Sequence, residues 1–225
     1  MKNQTLSIKD RLVAKYLDTN TKNILDNLSL KPRLNIVTFV SLDKYTNENR
    51  RSMESKNIFT EFLMNKAKIM IEALKHNSDT MLLDSDILFF NKINIIDISK
   101  DIGLSPHYIK KENTDEVGYY NVGILWTKNI AVVNDWIEFT KKSRYFEQAS
   151  LEDLAKKYDT QEFGEEVNYM PWRIILSDNP SKTKSEIRIV NNEININNKP
   201  LIFLHTHFHD KRFVEANSIE YEEFE

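Results

Sequence analysis

"TMLLDSDILFFNKI", residues 80–93, decides how this chain is read. From Thr80 to Phe90 the run is apolar except at Asp84, Ser85 and Asp86, and such near-continuous apolarity marks a strand buried on both faces. The pattern predicts one strand over 80–90, with the two acids toward its end. In an extended segment alternate side chains share a face, so Asp84 and Asp86 can converge on one point while Ser85 points away. Two carboxylates on one point repel unless a cation sits between them. A hard divalent ion with oxygen ligands, Mn²⁺ or Mg²⁺, is the natural occupant, its shell completed by waters and substrate phosphates. The plainer reading is a solvated turn or a helix cap. "MLL" before the acids and "ILFF" after them leave little room for an ordinary surface turn.

Upstream, "IFTEFLMNKAKIMIEALKHN" (58–77) places Phe62, Leu63, Lys66, Ile69, Met70, Ala73 and Leu74 at the spacing of a helix lying on a sheet. "LNIVTFVSL" (34–42) is a further apolar, β-branched run. Strand, helix, strand with non-alternating strands is the pattern of a parallel βαβ unit, so an α/β fold is expected. Ligands of open α/β sheets bind outside the carboxyl ends of the strands, where the acid pair falls. Residues 7–28 predict an amphipathic leading helix, within 1–30, and Pro32 ends it. Downstream, 102–109 and 119–128 read as strands around a polar loop, "KKENTDEV". "AVVNDWIEFTKKSRYF" and "SLEDLAKKYDTQEFGEEVNY" read as helices. Residues 186–213 read as a hairpin or short strands, and 214–225 as an acidic, fraying tail.

The chain has 225 residues, 40% of them hydrophobic and 29% charged, which fits one soluble globular domain over 1–225. No segment approaches the roughly 18 apolar residues of a membrane span, so a cytoplasmic, soluble location is expected. There is no cysteine, which removes disulfides, thiolate metal sites and cysteine nucleophiles. The net charge of −3 comes from well-mixed signs without a long basic stripe, which disfavours nucleic acid as a partner.

Three of the five histidines, His205, His207 and His209, crowd into "HTHFHD". On a strand from Leu201, His205 and His207 share a face, so either could turn to a metal, and His209 lies past the end. A zinc site from the three alone would want a well-spaced fourth ligand. Water-facing histidines at a strand end are the plain alternative. Lys66 falls among the apolar positions of its helix, which could turn its ammonium toward bound phosphates; Lys68 lies on the same helix, and a snorkelling surface lysine is the ordinary alternative. Gly123 in "YYNVGILW" suggests close approach by a ligand or a neighbouring strand. Trp126 and Trp136 read as core, and Trp172 after Pro171 as core or a sugar-stacking platform.

Residues 62–93, "FLMNKAKIMIEALKHNSDTMLLDSDILFFNKI", resemble the helix–strand–DxD core of nucleotide-sugar glycosyltransferases of the GT-A fold, especially glycogenin-like and galactosyltransferase-like families. "YYNVGILW" resembles their following strand, "YDTQEF" their later Asp-Gln element with one residue inserted, and "HTHFHDKRF" the segment carrying a metal-binding histidine. The resemblance implies a Rossmann-like open mixed sheet and transfer of a sugar from a nucleoside diphosphate donor, UDP-sugar favoured, to a hydroxyl on a glycan, lipid-linked or protein acceptor, with retention. It implies metal ligation by Asp84, Asp86 and His205, the last chosen over His207 by its spacing to Lys211. It further implies donor binding by Thr38, Ser41, Asp43, Lys66, Asp84, Ser85 and Lys211, and catalytic roles among Asn121, Asp159 and Gln161, with Glu162 beside them. Two departures stand out: Phe208 replaces the family's glycine three residues after the histidine, and Arg212-Phe213 replaces a Pro-Trp.

Two other classes compete. A phosphohydrolase of the haloacid dehalogenase type also uses a D-x-D after an apolar strand, but normally carries Thr two residues after the second Asp, where Leu88 stands. A catalytically silent nucleotide-binding protein would make the joint presence of the acid pair and the distal His/Lys pair a coincidence.

Overall fold

The computed structural model describes residues 35–37 and 59–206, which fall in one compact unit. The leading helix, the rest of the 34–42 run and everything from residue 207 lie outside the described residues. β1 (Asn35–Val37) pairs in parallel with β2 (Thr80–Leu83), Asn35 opposite Thr80 and Val37 opposite Leu82. Helices α1 (Phe59–Leu63) and α2 (Asn65–Leu74) lie between them in sequence, the expected βαβ unit. α2 buries Lys66, Ala67, Met70 and Ala73, a stripe at helical spacing.

The acids break the predicted 80–90 strand. After β2 the chain turns through Ser85 and Asp86, and β3 (Ile87–Phe89) joins a different sheet. The main sheet continues with β4 (Ile102–Pro106), β5 (Tyr120–Thr127) and β6 (Thr160–Glu162) in the order β1-β2-β5-β4-β6. β5 runs antiparallel to both β2 and β4, and β6 is parallel to β4, so the sheet is open and mixed.

Both faces of this sheet are covered, which explains why its central strands read as unbroken apolar runs. On one face Leu82, Leu104 and Leu125 pack with Ala67 and Met70 of α2, with Val132 and Trp136 of α4 (Ile130–Thr140) and with Leu154 of α5 (Leu151–Lys157). On the other, Met81, Leu83, Ile124 and Trp126 pack with Phe163, Val167 and Phe203. Each buried Val, Leu, Ile, Met or Phe side chain among them contributes about 1.5–3 kcal/mol. Asn129 caps α4, its Oδ1 accepting from the Ala131 amide at 2.9 Å. Trp126 and Trp136 are core as expected, while Trp172 is half-buried at the start of a short helix, Trp172–Ile175.

Three further expectations are corrected. "KENTDEV", read as loop, forms helix α3 (Lys111–Val117), which buries no residue and so shows no apolar stripe. The helix expected over 150–169 stops at Lys157. Thr160–Glu162 is instead an edge strand, followed by a 3₁₀ turn at Glu165–Val167. The strand expected over 102–109 stops at Pro106. The later short strands are present: β7 (Ile187–Val190), β8 (Glu193–Ile196) and β9 (Lys199–Pro200) form a three-stranded sheet. β10 (Phe203–His205) pairs antiparallel with β3.

Candidate metal centre

The β3–β10 pairing places His205 opposite Ile87, one residue beyond Asp86. A residue about 120 positions downstream is thereby brought to the acid pair. The turn between β2 and β3 is held from both sides. The Asp84 amide donates to the Gly123 carbonyl of β5 at 2.9 Å. From beyond β10, the Thr206 amide and hydroxyl both donate to the Asp86 carbonyl, at 3.0 and 2.8 Å. With its backbone tied down in this way, the turn projects both carboxylates at the carboxyl end of β2.

His205 Nε2 lies 3.2 Å from Asp86 Oδ1 and 3.9 Å from Asp84 Oδ2. One ligand atom from each of the three residues lies within 4.8 Å of the other two, the one group of this kind among the described residues. The histidine is buried and the acids are partly exposed, so the cluster has a solid floor and an open mouth. Two carboxylate oxygens and an imidazole nitrogen suit a divalent cation. The nitrogen favours Mn²⁺ over Mg²⁺, which prefers oxygen and water.

Gly123 makes room for His205. A Cβ on Gly123 would meet the imidazole Cε1 at 2.4 Å and Nδ1 at 2.8 Å. The close approach that this glycine suggests is therefore that of the histidine ring. Behind it, Asn121 Oδ1 accepts from the Gly123 amide at 2.9 Å and from Asn168 Nδ2 at 3.1 Å. Asn121 Nδ2 lies 3.4 Å from His107 Nε2, whose other ring nitrogen is 2.9 Å from the Gly118 carbonyl. Burial pushes the His107 pKa down from 6.5 to about 4, against the Gly118 hydrogen bond and with Arg173 nearby. A neutral His107 donates from Nδ1 to Gly118 and accepts from Asn121 at Nε2.

Lys66 reaches the cluster from α2, its Nζ 2.8 Å from Asp84 Oδ1 and 3.5 Å from Glu147 Oε1. Burial lowers its pKa, but the two carboxylates outweigh burial and hold it above the ordinary lysine value. Glu147 is itself pushed up by burial, with Lys66 opposing.

No family model and no curated protein matches the sequence. Solved structures do. A glycosyltransferase involved in the glycosylation of the major capsid of PBCV-1 aligns with 84% of this chain and 100% of its own, at TM-score 0.50 and 9% identity. The galactosyltransferase LgtC, in complex with donor and acceptor sugar analogs, aligns over 66% of this chain and 65% of its own, with TM-score 0.39 and 17% identity. The apo form of the glycosyltransferase GlyE of Streptococcus pneumoniae TIGR4 aligns over 60% and 35%, with TM-score 0.41 and 15% identity.

The chain has a GT-A glycosyltransferase fold. At the carboxyl end of β2 in this sheet, Asp84, Asp86 and His205 come together, and Lys66 joins them. Ser85 is exposed between the acids. Asn121 is buried, its amide engaged by Gly123, Asn168 and His107 rather than facing the mouth. Asp159 is not brought to the cluster. It precedes β6, and its carbonyl accepts from the Asp101 and Ile102 amides at the opposite end of the sheet from Leu83. There its carboxylate pairs with Lys100 at 2.8 Å. Gln161 is occupied too, donating to the Ile95 carbonyl at 2.6 Å and accepting from the Asp97 amide at 2.9 Å. Glu162 stands nearer the carboxyl end and accepts from the Tyr120 hydroxyl at 2.6 Å. Thr38, Ser41, Asp43, His207, His209 and Lys211 lie outside the described residues.

Sequence reasoning missed Glu147, His107 and Asn168. Glu147 sits in a polar stretch, "SRYFEQAS", where no apolar periodicity signals burial. His107 follows a proline at a strand end, a single polar residue with no spaced partner to mark it.

Proposed function

We propose that the protein is a divalent-metal-dependent glycosyltransferase that moves a sugar from a nucleoside diphosphate donor, a UDP-sugar, to a hydroxyl acceptor, with retention of anomeric configuration. The observation that carries this reading is the convergence of Asp84, Asp86 and His205 at the carboxyl end of β2 in a GT-A fold. Fold alone does not fix function. A three-ligand cluster with an open mouth, on the sheet edge where such folds bind ligands, supplies a site as well.

Transfer from such a donor requires departure of a strongly anionic diphosphate. A divalent cation, when bound, supplies Lewis-acid stabilisation of that developing charge. Asp84 Oδ2, Asp86 and His205 Nε2 would hold it, with His205 neutral so that its nitrogen lone pair is available. Lys66, its ammonium held above the ordinary lysine pKa, keeps a positive charge beside the diphosphate site at all working pH values. Lys211 would assist the leaving group, and Thr38, Ser41 and Asp43, following β1, would receive the base and ribose. With Asp159 and Gln161 engaged elsewhere, we assign the acidic group on the acceptor side to Glu162, held by Tyr120. Acceptors presented on a glycan, lipid carrier or protein are all consistent with a mouth open to solvent.

Thermal shift with UDP- and GDP-sugars, with and without Mn²⁺, tests this reading. A melting temperature raised by donor only when Mn²⁺ is present, and by neither in Asp86→Ala, supports it. Donor stabilisation indifferent to metal contradicts it, and phosphate release from simple monoesters would favour the phosphohydrolase.

A further inference from the structure

Glu147 is a fully buried carboxylate to which the reaction gives no task, and the chain goes to some trouble to place it. Its carbonyl is pinned by the indole of Trp136 at 2.9 Å and by the Ser150 hydroxyl at 2.7 Å. The residue before it, Phe146, has φ +39°, a left-handed conformation that a bulky side chain adopts only when its surroundings enforce it. The Phe146 ring packs edge-on against Phe59 of α1 at 5.0 Å. This kink turns Glu147 inward, beneath α2, where the cation it meets is Lys66 at 3.5 Å.

Lys66 in turn divides the Asp84 carboxylate. Its ammonium takes Oδ1 at 2.8 Å, while Oδ2 is the oxygen that faces His205. A ligating carboxylate whose second oxygen is held by an outer partner is fixed in rotation, and loss of such partners typically weakens metal binding by roughly 10- to 100-fold. Were Lys66 paired to Asp84 alone, its whole charge would compete with an incoming cation for that carboxylate. A second carboxylate behind it shares the charge and keeps the ammonium back from the mouth.

We propose that Glu147 is a positioning residue of the metal centre, acting through Lys66 to orient Asp84 and to keep Lys66 from displacing the cation. The inference rests on the metal-centre reading above and adds a relay, Glu147–Lys66–Asp84, that links the turn between α4 and α5 to the cation. In this relay Glu147 acts through its contact with Lys66 and not as a ligand itself.

Mn²⁺ binding to the full chain by isothermal titration calorimetry, in the absence of any donor, tests it. Glu147→Gln should raise the Mn²⁺ dissociation constant about tenfold, whereas in a Lys66→Met background the same substitution should change it less than twofold. If Glu147→Gln does not fold by circular dichroism, Glu147→Asp, which keeps the charge but shortens the reach to Lys66, carries the same comparison. An unchanged Mn²⁺ affinity in the Glu147 variant overturns the proposal and leaves the metal centre standing. An equal loss in both backgrounds also overturns it, since a plain field effect of one lost charge does not need Lys66. A wild-type chain that binds no Mn²⁺ overturns the metal centre and the relay together.

Discussion

A buried imidazole can serve a cation only if the backbone beneath it gives way, and Gly123 is where it does. An alanine Cβ there would sit 2.4 Å from His205 Cε1, far inside van der Waals contact. Overpacking of this kind costs about 1–3 kcal/mol, and here the strain is relieved by moving the His205 ring itself. Gly123→Ala should therefore lower Mn²⁺ affinity more than its modest loss of melting temperature would suggest, a comparison made by calorimetry and thermal unfolding on the same preparation. His107, behind the same glycine, makes a separate prediction. Its folded pKa is depressed from 6.5 to about 4, so between those values the unfolded chain binds the proton and the folded one does not. Stability from this group is complete above about pH 6.5 and is lost as the pH falls toward 4, by about 3 kcal/mol in all. Urea unfolding at pH 7 and pH 4.5 should show a smaller pH loss for His107→Gln than for the wild type. Equal losses would mean that His107 does not titrate as its burial demands.

The turn between β2 and β3 is the element on which the site depends. Its acids were legible because carboxylates interrupting an apolar run demand an explanation. The break in the strand was not, because "ILFF" is as apolar as "TMLL", yet it pairs with β10 rather than β1 and β5 and leaves Leu88 and Phe89 exposed. Periodicity also failed at two elements that bury little. α3 has no buried residue and is held instead by Arg144, which donates to the Asp115 and Thr114 carbonyls at 2.9 and 3.3 Å. β6 is a short polar edge strand with no fully buried position. Thr206 closes the turn with two hydrogen bonds to one carbonyl, and Thr206→Val removes only the side-chain one. A loss of about 1 kcal/mol in unfolding free energy is expected, with weaker Mn²⁺ binding as Asp86 is loosened. Unchanged metal affinity would show that the amide alone holds the turn.

At the scale of the molecule, the sheet has two ends with different chemistry. A cavity of about 470 Å³, lined by Leu74, Ser78, Asp101, Lys128, Asn129 and Ile130, opens near the amino end of β2. Its lining holds a single carboxylate, Asp101, and no histidine, and its Lys128 donates to the Ile98 carbonyl at 2.8 Å. The carboxyl end holds the cluster, the buried lysine and the acids. Composition and the βαβ pattern sufficed for the fold class, since both follow from which faces are buried. The surroundings of Asp159 and Gln161 were illegible because their partners, Lys100, Ile95 and Asp97, are set only by tertiary pairing. No helix among the described residues is long and apolar enough to cross a membrane. If the cluster binds a cation in order to release a diphosphate, incubation with a panel of nucleoside diphosphate sugars, following free nucleoside diphosphate, should show it. Release is expected to require Mn²⁺, to stop with a chelator and to be absent in Asp86→Ala. Release that persists in chelator or in Asp86→Ala, or no release from any donor with Mn²⁺ present, would contradict it.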